Sequence, residues 1–250
     1  MTDPSGYAQF VAGLLVLTGL TLLLLRWDGV GLGLFPLWAI LRAVVQLTVI
    51  ALLLRGILDV PWTVVAFVAL MLTTASWTAM GRLAELRHGR RTAALGVLSG
   101  ALLTLVVVFA LHLVDLQVRY LVAVGGIVIG NSMTAATLAG RNFLRGTRAK
   151  VGELEAWLAL GATPAQAHEE IGREAVRESL LPTLDQTKST GVVTLPGAFV
   201  GALFGGASPA QAAQFQLVVL AGIALTMTVT GIVVTRLAGR TPYLPAQVEG

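Results

Sequence analysis

Two residues in an apolar segment near the N-terminus could contact a solute that crosses a membrane. Arg42 and Gln46 lie four positions apart, so they share one face of a helix. A guanidinium facing a watery cavity would attract an anion or line a solute path. The structural alternative is that Arg42 pairs with a backbone carbonyl or reaches toward the end of its helix.

A second polar group interrupts an apolar segment in the middle of the chain. Asn131, Ser132, Met133 and Thr134 follow Gly130 directly. The glycine could open the helix, so that carbonyls, an amide and a thioether face a solute. Alternatively, the Asn, Ser and Thr side chains could form hydrogen bonds between helices, as they often do in membrane bundles.

The longest polar segment, Glu155–Pro182, resembles a surface element more than a membrane span. Gly161 stands where a helix C-terminus favours positive φ. Thr163 and Pro164 then predict an N-cap and a first helical position, with a glutamine at capping-box spacing. We expect the second helix to end at Pro182. The segment therefore predicts two short helices that meet at a glycine elbow.

The composition identifies the protein class that surrounds these residues. Hydrophobic residues make up 56% of the 250 positions and charged residues only 12%, and the mean hydropathy is +0.81. Apolar runs of roughly 18 or more residues cross a bilayer as helices, which satisfy their own backbone groups. The absence of cysteine excludes disulfides and thiolate metal ligands. The fold class is therefore an all-α integral membrane bundle.

Hydropathy predicts about seven spans, of which the sixth is short and rich in glycine. The intervals are Tyr7–Leu25, Leu34–Leu54, Pro61–Met80, Ala93–Leu113, Tyr120–Leu138, Thr190–Phe204 and Phe215–Leu237. We expect residues 1–250 to form a single transmembrane domain, in which residues 140–189 form a cytoplasmic helical loop.

Basic residues set the predicted orientation, because cytoplasmic loops are rich in Lys and Arg. They concentrate in the linker Gly81–Thr92 and in residues 140–189, while the other side keeps only Arg55 and Arg119. The N-terminus should therefore lie outside a plasma (inner) membrane and the C-terminus in the cytoplasm. This distribution explains the isoelectric point near 10.1 without a nucleic-acid partner.

Glycines recur at four-residue spacing, which places them on one helix face and allows another helix to approach closely. The sets are Gly96 and Gly100, Gly126 and Gly130, and Gly197, Gly201 and Gly205. The spacing is compatible with packing inside one chain and with an interface between subunits.

The sequence predicts no enzyme site and no ATPase site of its own. Its three histidines fall in linkers or at span ends, and no Gly-rich phosphate loop of the Walker type occurs. The predicted spans contain no Asp or Glu, which disfavours an ion-coupled carrier. A separate ATPase is the better energy source, and a carrier or a non-transporting scaffold are the alternatives.

The polar segment resembles the "EAA" loop of ABC-transporter permeases, which binds a groove on the ATPase subunit. Glu155, Ala156, Gly161 and Ile171 match that pattern, whereas the Leu-Pro that should follow Ile171 is absent. The resemblance implies that these four residues couple the chain to its ATPase; the alternative for this segment is an ordinary amphipathic helical hairpin between two spans.

Further motifs over residues 40–235 resemble the Fet-type ABC permease family, which includes a bacterial iron-export permease and plant aluminium-tolerance permeases. They are Leu41-Arg42 with Gln46-Leu47, Gly130 to Thr134, Leu154-Glu155-Ala156 with Leu160-Gly161-Ala162, Pro182-Thr183, and Leu195-Pro196-Gly197 with Gly206 to Pro209.

This resemblance implies a homodimeric permease in lipid that exports iron or another metal, with ATP used by a partner subunit and no cofactor bound directly. Arg42, Gln46 and Asn131 to Thr134 would line the path. The metal ligands stay unknown, because the predicted spans offer none of the carboxylates, imidazoles and thiolates that iron prefers, except His112 at an outer span end. Arg42 fits an anionic solute, such as a nucleotide sugar, as the alternative substrate.

Overall fold

A computed structural model describes residues 4–57 and 62–241, in which regular structure consists of ten α-helices. The helices are α1 (Pro4–Trp27), α2 (Phe35–Ile57), α3 (Thr63–Arg82), α4 (Gly89–Ala110), α5 (Val118–Ala149), α6 (Val151–Ala159), α7 (Pro164–Ala167), α8 (Glu169–Ser189), α9 (Gly197–Phe204) and α10 (Pro209–Gly239). They fall into two compact units, residues 1–60 and 61–250. The all-α membrane fold is confirmed.

Six of these helices in the described ranges are long and apolar enough to cross a membrane: α1, α2, α3, α4, α5 and α10. The sixth predicted span, Thr190–Phe204, is wrong as a continuous helix, because it contains only the eight residues of α9. A tight turn at Gly191, whose φ is +89°, separates α8 from α9. Pro196 then has an extended backbone that cannot continue a helix.

The core of the second unit forms where α3, α4, α5 and α10 pack together around small side chains. Ala93, Val97, Ala101, Ala136 and Val234 are each fully buried there. Small side chains let the helix backbones of this core approach closely, which increases van der Waals contact between the helices.

Gly96 and Gly100 make the tightest of these contacts, between α4 and α10. A methyl group placed on Gly96 would lie 2.5 Å from Cγ2 of Val234, and one on Gly100 would lie 2.7 Å from the carbonyl oxygen of Thr226. Neither position has room for a larger residue. The predicted glycine packing is confirmed here, and it is packing within one chain.

Two long helices, α5 and α10, run in the same direction. A methyl group on Gly222 would lie 3.9 Å from Cγ2 of Val128, and one on Gly239 would lie 3.8 Å from Cζ of Phe143. The residue numbers rise together along both helices. The chain between them must therefore return along their full length.

That return is made by α8 and then α9, which follow α10 in the opposite direction. His168, just before α8, lies against Gly239 near the end of α10, and Val176 and Ser179 lie against Gly231. Further along, the Phe199 N–H of α9 donates to Oε1 of Gln216 at 3.1 Å. The two helices thus pass from the C-terminal end of α10 to its first third.

The helix α8 continues through Pro182 to Ser189, so the predicted helix end at Pro182 is wrong. Proline has no N–H to bond the carbonyl four residues earlier, and within a helix it costs about 3 kcal/mol. Packing of α8 on α5 and α10 offsets that cost. The local breaker signal was overridden by tertiary contacts.

The basic segments of the second unit meet at one end of its bundle. Leu83, directly after α3, packs against Gly140 of α5, and Nη2 of Arg148 lies 3.2 Å from Oε2 of Glu85. The linker between α3 and α4 is therefore adjacent to the end of α5, which leads into α6. The sequence placed these two segments on the same side of the membrane.

Candidate functional site

The polar segment folds as a compact projection at this basic end, and we call residues 151–173 the knob. Its backbone turns at Gly161, whose φ is +88°. Thr163 and Gln166 then form the predicted capping box: the Thr163 N–H donates to Oε1 of Gln166 at 2.9 Å, and the Gln166 N–H donates to Oγ1 of Thr163 at 3.4 Å. The elbow and the capped second helix are confirmed.

Three buried side chains fix the knob to the transmembrane helices. Ile171 lies against Gly146 of α5, where a methyl group would be 2.9 Å from Cγ2, and Leu154 is 1% exposed. The His168 ring stacks on Phe143 with centroids 5.5 Å apart. A displacement of the knob would therefore press directly on α5.

A hydrogen bond orients the buried His168. Its Nδ1 lies 2.8 Å from the carbonyl oxygen of Pro164, and because a carbonyl only accepts, Nδ1 carries the proton that is donated. The bond ties α7 to the start of α8. The histidine thus joins α5, α7 and α8 in one rigid group.

Two large apolar side chains project from the outer surface of the knob. Leu160 is 82% exposed and Trp157 is 50% exposed. They line a groove of about 650 Å³ together with Glu153, Glu169 and other residues. An exposed apolar patch with polar residues around it is a feature of surfaces that contact another protein.

The charges beside this tip are mostly acidic and solvated. Nζ of Lys150 lies 3.9 Å from Oε2 of Glu153 and 3.6 Å from Oε1 of Glu170, and Arg173 pairs with Glu169. Exposed pairs of this kind contribute about 0 to 1 kcal/mol each. They shape the surface potential more than they stabilise the fold.

The four coupling residues taken from the sequence have different environments. Glu155 and Ala156 are exposed on α6, Gly161 forms the elbow, and Ile171 is buried beneath the knob. Ile171 is therefore placed to transmit a displacement to α5, while the other three lie at the outer surface.

The polar cluster of the middle segment lies on α5, which is continuous through Gly130. The expectation that this glycine opens the helix is wrong. Nδ2 of Asn131 donates to the Ile127 carbonyl at 2.8 Å, and Oγ1 of Thr134 donates to the Gly130 carbonyl at 3.1 Å. Both side chains therefore donate their hydrogen bonds to carbonyl groups of their own helix.

The members of that cluster face different sides. Ser132 is fully buried, Asn131 and Met133 are half-buried, and Thr134 is exposed. A methyl group placed on Gly130 would have no atom within 4 Å. The exposed face of this part of α5 carries Gly130 and Thr134, with Asn131 at its edge, whereas Met133 packs against the core.

Arg42 and Gln46 lie on α2, in the first unit, and both are exposed. The cluster on α5 belongs to the second unit. Arg42, Gln46 and Thr134 are thus exposed on their helices, whereas Ser132 is buried.

Sequence reasoning did not assign a role to Leu160 or to the charged face of α8. The signal for Leu160 was a leucine next to the elbow glycine, at the end of an amphipathic turn. The α8 face combines acidic and basic residues on a helix that lies along α5 and α10, and hydropathy alone presents it as a surface loop.

Within the described residues, no group of three or more His, Asp or Glu could hold a metal ion.

The chain is similar to several known membrane proteins. It is 33% identical over 231 residues to the UPF0014 membrane protein slr1647 of Synechocystis, covering 90% of this chain and 89% of that one. It is 32% identical to the Protein ALUMINUM SENSITIVE 3 of Arabidopsis thaliana over 204 residues, 80% of this chain and 74% of that one.

A third relative carries a name that specifies transport. The Probable iron export permease protein FetB of Escherichia coli is 27% identical over 209 residues, 83% of this chain and 81% of that one. No solved structure matches the chain. The model of the Uncharacterised protein family (UPF0014) matches residues 8–243, so the chain belongs to the UPF0014 family of multi-pass membrane proteins.

Proposed function

We propose that the chain is the membrane-spanning permease subunit of an ABC exporter, and that a separate ATPase binds the knob. The observation that carries this proposal is the apolar tip formed by Trp157 and Leu160 on an elbow that is fixed to α5 through Ile171. Such a tip can enter a groove on a partner, and its base can pass the resulting displacement to the spans.

The proposed substrate is iron or another metal, either as an ion or as a complex. The FetB relative is named as an iron export permease, and the motif resemblance leads to the same substrate class. A specific observation favours an alternative: Arg42 is exposed on an apolar helix, and a guanidinium attracts an anion such as a nucleotide sugar.

We also propose that two permease chains assemble with two ATPase subunits. The face of α9 that carries Gly197 and Gly201 supports this, because no atom of the described chain lies within 4 Å of a methyl group placed on either glycine. Small residues of this kind let a second helix approach closely in lipid.

Binding to the ATPase tests the proposal most directly. Leu160→Glu should weaken co-purification of the detergent-solubilised chain with its ATPase about tenfold or more, because burying an exposed leucine contributes about 1.5 to 3 kcal/mol. The measurement is the amount of ATPase retained at increasing salt. The thermal stability of the permease should not change, since Leu160 is 82% exposed.

Leu154→Ala provides the matched control inside the knob. Leu154 is 1% exposed, so its truncation should lower stability by about 2 to 5 kcal/mol rather than affect the docking surface alone. Full ATPase binding by Leu160→Glu and by Trp157→Ala would rule out the knob as the docking site. Transport by the chain alone, abolished by an ionophore, would favour an ion-coupled carrier instead.

A further inference from the structure

The helix α8 is polar, yet it lies along two of the most apolar helices of the protein. Its positions 171, 172, 175 and 179 are buried, and positions 176, 180, 183 and 187 are half-buried. This stripe repeats every three to four residues and faces α5 and α10. The helix therefore packs on those helices along one face, most closely from position 171 to position 179.

The path of α8 and α9 spans the thickness of a membrane. They begin beside Gly239 and reach Gln216, and the stretch of α10 between these residues is about 35 Å long at 1.5 Å per residue. The hydrocarbon core of a bilayer is about 30 Å thick. Because α5 and α10 run parallel and both have the length and hydropathy of a span, the connecting chain has to cross between them.

The face of α8 opposite the packed stripe carries charges at this depth. Ser179 lies beside Gly231 of α10, and Asp185 is about 9 Å further along the helix. Arg177, Asp185 and Lys188 have side chains that are 70%, 64% and 77% exposed, and Glu178 is exposed as well.

These charges could not face lipid hydrocarbon at low cost. A charged side chain at the centre of a membrane helix costs about 3 kcal/mol, and intramembrane charges almost always face a protein interior or a water-filled cavity. Lys188 reaches Asp185 at 2.9 Å and Arg177 reaches Glu174 at 3.7 Å, whereas Glu178 has no ion pair among the described residues. Pairing along the helix therefore leaves at least one carboxylate in need of water.

We propose that α8 and α9 form a discontinuous seventh crossing, and that the charged face of α8 lines a water-filled path for a hydrated, charged solute. The path rests on the proposed transport function, whereas the crossing does not. The crossing also supplies carboxylates at membrane depth, from Glu178 and Asp185, which the apolar spans lack. Oxygen ligands of this kind suit hard metal cations.

The crossing is tested by the sidedness of two matched cysteines. Ala165 and Ala210 are both exposed, and each follows the proline of a capped helix start. The chain contains no native cysteine, so each Ala→Cys variant carries a single thiol. An impermeant maleimide should label one variant only in intact cells and the other only in inverted vesicles. Labelling of both from the same side would overturn the crossing.

The water-filled path is tested by the reactivity of thiols at equal depth. Asp185→Cys should react with a small cationic methanethiosulfonate in proteoliposomes at least 100-fold faster than Leu102→Cys, and Glu178→Cys at least 100-fold faster than Leu95→Cys. Leu95 and Leu102 are exposed on α4; Gly96 beside Leu95 packs on Thr230 of α10, next to the Gly231 that contacts Ser179, and Thr104 packs deeper, on Gly222. Reaction at positions 178 and 185 as slow as at positions 95 and 102 would overturn the path.

Two features of this experiment separate the absence of a water-filled path from misfolding and from the absence of an ABC partner. It uses two cysteine positions on α8, and it needs no ATPase. Asp185→Cys removes a partner of Lys188, whereas Glu178→Cys breaks no ion pair of the described chain, so position 178 remains informative if the first variant misfolds. Thiol reactivity is measured on the permease alone. Fast reaction without any ATPase binding would retain the path and reject the proposed ABC partnership.

Discussion

At the scale of single residues, Gly161 combines an exposed position with a positive φ, which residues other than glycine rarely adopt. Its φ is +88° and no atom lies within 4 Å of a methyl group placed there. Gly161→Ala should therefore act through the backbone alone, at a cost of about 1 to 2 kcal/mol. We expect the elbow to change angle, which lowers solute-stimulated ATP hydrolysis in the reconstituted complex while the permease still inserts.

Gly152→Ala is the matched control for this prediction. Gly152 is also free of neighbours within 4 Å but has no positive φ, because it lies in the first turn of α6. Alanine there should stabilise the helix by at most about 0.5 to 1 kcal/mol and leave coupling intact. Equal ATPase stimulation in both variants would contradict a role for the elbow.

The residues of the α5 cluster differ in what they could offer a solute. Ser132 is fully buried, and its Oγ donates to the Ile129 carbonyl at 2.8 Å. Thr134 is exposed, so its hydroxyl could exchange its own-helix bond for a bond to water or solute. The path assignment of the cluster stays a prediction, and it rests more on Asn131 and Thr134 than on Ser132.

At the scale of helices, the contact between α4 and α10 depends on Gly100. A methyl group there would meet the carbonyl oxygen of Thr226 at 2.7 Å, and a backbone atom cannot move without its helix. Gly100→Ala should lower the free energy of unfolding by about 1 to 3 kcal/mol through overpacking, as measured by thermal melting in detergent.

Gly130→Ala tests whether this effect is specific to the contact. Both glycines are in long apolar helices, but position 130 has no atom within 4 Å. Alanine there should raise stability slightly through its helix propensity. A similar loss at both positions would mean that helix packing at Gly100 is not the cause.

The proline within α8 gives a prediction of the opposite sign. Pro182→Ala restores an N–H in the helix interior, so the melting temperature should rise, by an amount equivalent to at most about 3 kcal/mol. Pro209→Ala is the control, because Pro209 occupies the first turn of α10, where proline has little cost. An unchanged melting temperature for Pro182→Ala would show that α8 already accommodates the ring without loss.

The sequence predicted those elements that neighbouring residues determine. The capping box at Thr163 and the elbow at Gly161 follow from a few adjacent side chains. The span Thr190–Phe204 and the helix end at Pro182 were wrong, since α8 owes its length to packing on α5 and α10. Local patterns do not contain those distant contacts.

The knob likewise combines features that neighbouring residues determine with features that distant contacts determine. Its position in the chain, its elbow and its second helix were predictable from spacing. The burial of Ile171 against Gly146 and the 82% exposure of Leu160 depend on where α5 ends in space. The sequence therefore indicated the segment that we propose as the docking element, but not which of its side chains are exposed and which are buried.

At the scale of the whole molecule, the number of crossings fixes the relation between the two termini. Six span-length helices alone would place both termini on the same side of the membrane. The proposed crossing by α8 and α9 adds a seventh, which would place the termini on opposite sides. Basic residues such as Arg82, Arg141 and Arg236, at the end of the bundle that carries the knob, favour a cytoplasmic C-terminus.

Reporter fusions measure this relation directly. A periplasmic phosphatase should be active when fused to the N-terminus and inactive at the C-terminus, and a cytoplasmic fluorescent protein should give the reverse result. A phosphatase inserted at Ala165, in the knob, is the internal control, because it should match the C-terminal fusion. Identical results at both termini would exclude an odd number of crossings, and with it the arrangement in which the knob and the C-terminus share the ATPase side.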